Sequence, residues 1–175
     1  MGKNRLGFGR HLKLTGFALA SAALVFGATP AQADGTSTKS GWYSKQPLNL
    51  DVCGQKRQLA VGGDKKPMTA YACVTKTGRK QAQGVIVFEN SSTSTATAVG
   101  EVTVRGYWYD MRVSGPTYTC GGKTLPAKGR LYCVGHTALF DSPDSYGVSG
   151  ETDGNATVNG YGGDVSSGKV KIFQP

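Results

Sequence analysis

Four cysteines, one histidine in the body of the chain and a scatter of carboxylates are the residues here whose chemistry could do more than pack. Cys53, Cys73, Cys120 and Cys133 form an even set with no Cys-x-x-Cys spacing, so two disulfides are expected before metal ligation. Three pairings exist. Cys53–Cys73 and Cys120–Cys133 are favoured because a local hairpin or turn can bring each pair together; sequence reasoning leaves the crossed pairings open. Each ring would stabilise the fold by about 3 kcal/mol on chain-entropy grounds. His136 lies three residues after Cys133, but one such pair falls short of a zinc ligand set. No Gly-x-Ser-x-Gly elbow supplies it with a nucleophile. In Ser166-Ser167-Gly168-Lys169, Ser167 stands one residue out of frame for a Ser–Lys dyad. His-Glu-x-x-His is absent, which excludes a zincin.

The acids give no firmer centre. Glu89 and Glu101 read as lying on or beside adjacent strands, the arrangement a carboxylate pair would need, yet solvated strand ends explain them as well. Asp141, Asp144, Glu151 and Asp153 concentrate charge that a calcium ion could use, but the alternating ligands of a calcium loop are missing. Asp141 to Asp144, with Pro143 between them, reads more simply as a turn. Gly160-Tyr161-Gly162-Gly163 leads into no helix, so it does not cradle phosphate. No catalytic residue, metal or cofactor is therefore assigned. Two sets of candidates remain. Trp42, Tyr43 and Trp108 could stack on sugar faces. Lys123, Leu125, Lys128 and Arg130 lie in the segment 121–132 that a Cys120–Cys133 bond would close, a basic loop suited to a protease cleft. Asn90-Ser91-Ser92 and Asn155-Ala156-Thr157 match the glycosylation acceptor pattern and read as exposed turns.

What must position these residues begins after a leader. Lys3, Arg5, Arg10 and Lys13 precede an apolar stretch from Leu14 to Ala28, and Ala31-Gln32-Ala33 places small residues where a signal peptidase reads them. The expected cut falls between Ala33 and Asp34, and the apolar core is too short and too rich in Gly and Ala for a membrane span. The 20 Lys and Arg lose 4 with the leader, leaving 16 against 11 acids, a net charge of +5. That excess suits loose attraction to anionic polymers such as teichoic acids or acidic polysaccharides. No basic run interleaved with aromatics tracks a nucleic acid.

The remainder, with its many Gly, Ser, Thr, Val and Tyr and short polar gaps between apolar runs, reads as all-β. Residues 1–33 are expected as signal peptide, 34–50 as a flexible segment and 51–175 as one β-sandwich of immunoglobulin-like type with seven to nine strands. Gly84–Glu89, a continuous apolar run, should be central and covered on both faces. Asp153-Gly154-Asn155 reads as a hairpin turn. In Glu101–Val113 one parity holds Val102, Val104 and Trp108 but also Asp110 and Arg112, while the other holds Tyr107, Tyr109, Met111 and Val113. A bulge at Gly106 would reconcile the halves, turning the second set inward and Trp108 out to solvent; the alternative, favoured for so large an aromatic, is a Trp108 packed under a neighbouring loop.

Tyr71-Ala72-Cys73-Val74, the run Gly84 to Ser92, and the Thr119–Cys133 segment, with twelve residues between its cysteines, occur in that order. This resembles small secreted proteins of actinobacteria over roughly Cys53 to Phe173, and the leader is similar to theirs. The resemblance implies a disulfide-stapled β-sandwich. It implies no activity, and no catalytic residues carry over.

Two functional expectations follow. The first is a secreted, non-enzymatic module contacting cell wall or extracellular polysaccharide. The second is a secreted inhibitor of a hydrolase, presenting the 121–132 loop. Neither involves nucleic acid or a membrane span after cleavage.

Overall fold

A computed structural model describes residues 37–109, 111–143 and 146–175; the leader assigned to 1–33 lies outside them. The described residues form strands β1 (Gly41–Tyr43), β2 (Val52–Cys53), β3 (Arg57–Val61), β4 (Pro67–Gly78), β5 (Gln81–Asn90), β6 (Ala96–Trp108), β7 (Met111–Leu125), β8 (Arg130–Leu139), β9 (Val148–Val158), β10 (Tyr161–Ser166) and β11 (Val170–Phe173). A six-stranded sheet runs β1-β8-β5-β4-β2, with β3 also on β4; a five-stranded sheet runs β10-β9-β6-β7, with β11 also on β9. Every pairing is antiparallel.

The apolar run in β5 follows from its place. It pairs with β4 on one side and β8 on the other. Ile86 and Phe88 enter the core between the sheets, where Ala98 and Val102 of β6 and Val158 of β9 meet them. Val85 and Val87 point the opposite way into a second apolar layer with Leu48 and Tyr132. Both faces of this run are thus dry; the one buried polar side chain nearer the start of β5, Gln83, is satisfied by donating to the Thr38 and Gly135 carbonyls. Of the segment 34–50, expected as flexible, 34–36 lie outside the described residues and later positions contribute to the outer layer. β1 pairs with β8, and Leu48 is buried on the outer face with Tyr43 and Leu50 packed alongside.

Two disulfides are present, Cys53–Cys73 and Cys120–Cys133. The first joins facing residues of β2 and β4 within one sheet. The second ties β7 to β8 and so links the two sheets through the core.

The reading of Glu101–Val113 needs correction. Its parity conflict is resolved by a hairpin, because Trp108 pairs with Met111 and the chain reverses between them. β6 then alternates without interruption: Val102, Val104, Gly106 and Trp108 face inward, and its register with β9 is unbroken from Ala98 to Tyr107. The register shifts against β7 fall instead at Ala98/Gly100 and Thr103/Arg105. Trp108 is consequently 7 % exposed, while Tyr109 and Met111 are left outside. Gly106 is required for close packing, since a Cβ there would lie 2.3 Å from the Phe140 ring. Asp153-Gly154-Asn155 is also no turn. It lies within β9, and the β9–β10 hairpin closes at Asn159 (φ 50°) and Gly160 (φ 82°), a pair suited to a two-residue left-handed turn.

Candidate functional site

The expected sugar-stacking trio does not form a surface. Trp108 is in the core beside Phe140 and Val148. The Trp42 ring packs 5.5 Å from Phe88, and its Nε1 donates to the Gly121 carbonyl at 2.6 Å. The Tyr43 hydroxyl donates to the Lys39 carbonyl at 2.7 Å. All three rings serve packing.

The segment 121–132 is likewise no free loop. β7 continues to Leu125, which is fully buried, and β8 begins at Arg130, so only residues 126–129 turn. Lys123 is exposed on the β7 edge, opposite Ala98. Lys128 takes a left-handed conformation with φ 52°, and the Gly129 N–H donates to the Pro126 carbonyl at 3.2 Å. This short turn is tied to a neighbouring connection through the Lys128 N–H on the Ser92 carbonyl, so four residues rather than twelve form the connection.

Its surroundings form the candidate site. Three connections far apart in sequence meet there: 62–66 between β3 and β4, 91–95 between β5 and β6, and 126–129. Asn90, buried, holds the junction. Its Nδ2 donates to the carbonyls of Ser94 at 2.7 Å and Pro126 at 3.1 Å. Its Oδ1 accepts from the Ser92 N–H at 2.9 Å and from the Ser92 hydroxyl at 2.8 Å. The Lys128 N–H donates to the Ser92 carbonyl at 3.0 Å, and the Ser91 N–H to the Pro67 carbonyl at 3.0 Å. Asp64 accepts from the backbone N–H groups of Lys66 and Thr93. Burial acts to raise its pKa, but those two bonds, with Lys128 at 4.0 Å, hold the carboxyl below its ordinary value.

A cleft of ≈ 450 Å³ opens at this junction, lined by Lys66, Lys128, Arg130, Glu89, Asn90, Ser91 and Gly129. Glu89 contacts two cations, Lys56 at 2.5 Å and Arg130 at 2.9 Å, and accepts from the Tyr71 hydroxyl at 3.4 Å. Its charge raises the Arg130 pKa, and a hydrogen bond to Tyr132 adds to that. Lys66 makes no ion pair among the described residues. Four cations, Lys56, Lys66, Lys128 and Arg130, thus surround two carboxylates that are already bonded. An incoming anion meets net positive charge over a hydrogen-bonded floor. The sequence signals for this site were present as Lys65-Lys66, Asn90-Ser91-Ser92 and Lys128-Gly129-Arg130, but nothing local showed that they converge.

Other chemistry-bearing residues are dispersed. Glu89 lies on the six-stranded sheet and Glu101 on the five-stranded one, which corrects their reading as neighbours on adjacent strands. On the five-stranded sheet Arg105 Nε pairs with Asp153 at 2.7 Å, and Arg112 reaches Asp153 at 3.1 Å and Glu151 at 3.8 Å. The Tyr107 hydroxyl donates to Glu151. Burial, reinforced by Glu151, pushes the Tyr107 pKa up to about 12. Ser166 does stand in the Ser-x-x-Lys frame with Lys169, yet the Lys169 ammonium lies 4.0 Å from the Tyr107 ring centroid. His136 is exposed and meets Tyr118 edge-on at 4.8 Å. The Asn155 amide donates to Asp164 at 3.2 Å on the open face of the same sheet. No family model matches this chain, and no curated protein aligns with it significantly.

Proposed function

We propose that this chain is an extracellular, non-enzymatic binding module that holds an anionic cell-wall or secreted polymer in the Lys66–Lys128–Arg130 cleft. The observation that carries the reading is the convergence of those cations on a junction of three interlocked connections, with both local carboxylates already bonded. Two disulfides suit an oxidising compartment, consistent with export by a leader cleaved after Ala33 and with the resemblance to actinobacterial secreted proteins. The connectivity supports an immunoglobulin-like sandwich: β5 and β6 lie in different sheets, β8 returns beside β5 and β9 beside β6. The non-enzymatic reading draws on the dispersal of the acids and on arginine pairing of Glu151 and Asp153.

Exposed ion pairs are individually weak and salt-screened, so affinity should come from several cations acting on a repeating anion. The purified protein should be retained on polygalacturonate and on teichoic-acid-bearing walls at low salt and be released at high salt. Lys66→Glu with Lys128→Glu should abolish retention without unfolding the domain. Absence of retention on both anionic supports would end the proposal. Intact mass of the protein from culture medium checks the leader: a chain starting before Asp34, or four free thiols, contradicts it.

A further inference from the structure

At the opposite end of β6, about 40 Å away along a 13-residue strand, the surface has another character. Tyr109 occupies the first position of the β6–β7 turn with φ 52°. Left-handed positions in two-residue hairpins favour Asn, Asp or Gly, and a bulky ring there is a backbone outlier of the kind found where a side chain has a task. Tyr109 is 77 % exposed, Met111 52 % and Tyr146 42 %. The two tyrosine rings, from connections far apart in sequence, lie 5.5 Å apart and tilted by 50°. The core at this end is closed by Trp108, Phe140 and Val148, and both tyrosines keep much of their surface outside it.

We propose that Tyr109 and Tyr146 form a stacking ledge for the pyranose faces of a neutral polysaccharide, a second site independent of the anionic cleft. Flat rings with polar tips suit a ligand that presents C–H faces edged with hydroxyls. Size argues against a folded partner. Two partly exposed tyrosines and a methionine present on the order of 350 Å², less than half of the roughly 800 Å² each partner contributes to a stable interface. One or two sugar rings match that area. Charge gives an anion little to hold here: the cations at this end, Arg79 and Lys80, are engaged over the Phe173 ring, Lys80 also donates to the Ser142 carbonyl, and the charged residues nearest the tyrosines in the chain are Asp110 and Asp144.

The test is retention of the purified protein on insoluble chitin, cellulose and mannan at low and high salt. Retention on at least one should be insensitive to salt and unchanged by Lys66→Glu with Lys128→Glu. Tyr109→Asn places a residue that tolerates the left-handed turn, so the melting temperature should hold or rise while retention falls about tenfold; Tyr146→Ser should weaken it similarly. Retention on none of the three, or retention untouched by a folded Tyr109→Asn variant, overturns the proposal. Concentration-dependent dimerisation that Tyr109→Asn removes would reassign the ledge to self-association and overturn it too. Failure of the anionic reading would show on the polygalacturonate and wall supports and leave this result standing.

Discussion

Gly106→Ala tests the register on which both ends of the molecule depend. The added Cβ would lie 2.3, 2.5 and 2.8 Å from three carbons of the Phe140 ring, where carbon atoms settle at roughly 3.5–4.0 Å. Neither side has room to yield. Phe140 is 1 % exposed and cannot rotate into solvent. Gly106 is paired with Val113 on one side and Gly150 on the other, so withdrawing its backbone would break ladder hydrogen bonds. Overpacking of this kind costs about 1–3 kcal/mol, and the confinement puts this case at about 2–3 kcal/mol. For a domain of this size that is a loss of roughly 6–15 °C in melting temperature. Urea unfolding followed by tryptophan fluorescence reads it, with Trp108 two residues away as reporter. Phe140→Leu frees space and should recover part of the loss, giving a coupling of about 0.5–3 kcal/mol in the double-mutant cycle. A Gly106→Ala variant within about 0.5 kcal/mol of wild type, or strict additivity with Phe140→Leu, would refute the packing and with it the inward placement of Trp108.

Asn90→Ala should cost about 2–4 kcal/mol, since it removes a buried side chain bonding to Ser92, Ser94 and Pro126; denaturant titration and loss of anionic-polymer retention should move together. Tyr107 should titrate well above the ordinary range of a phenol. Its pKa, raised to about 12, means that the folded state favours the neutral phenol, so its contribution to stability is intact below pH ~10 and is lost as pH rises through about 12. Tyrosinate absorbance checks this, with Glu151→Gln expected to draw the value back toward ordinary; a Tyr107→Phe variant that leaves the high-pH end of the titration unchanged would contradict it.

Part of the fold is legible in the residues themselves. Gly84–Glu89 declares a central strand because only a strand dry on both faces accommodates Val-Ile-Val-Phe. The Asn159-Gly160 turn carries an equally plain signal, yet Asp153-Gly154 competes with it. Gly154 is instead a close-approach glycine, whose Cβ would lie 2.2 Å from the Glu101 carbonyl oxygen. Local composition does not separate a glycine that turns the chain from one that lets another strand pass. The hidden hairpin in Glu101–Val113 has a related cause. Alternation is measured along a strand, and Tyr109 gives no hint that the strand ends there, because an aromatic is a poor residue for a left-handed turn.

The amino-acid sequence alone determined the strand-rich class, the alternation that gives each strand an inner face, and a cysteine spacing compatible with local closure, since all three depend on neighbours a few residues apart. The tertiary structure decided which aromatics became core and which stayed outside, and it brought Lys66, Glu89 and Lys128 around one cleft. Those outcomes depend on how two sheets stack and where connections meet, contacts between residues tens of positions apart that no local pattern encodes.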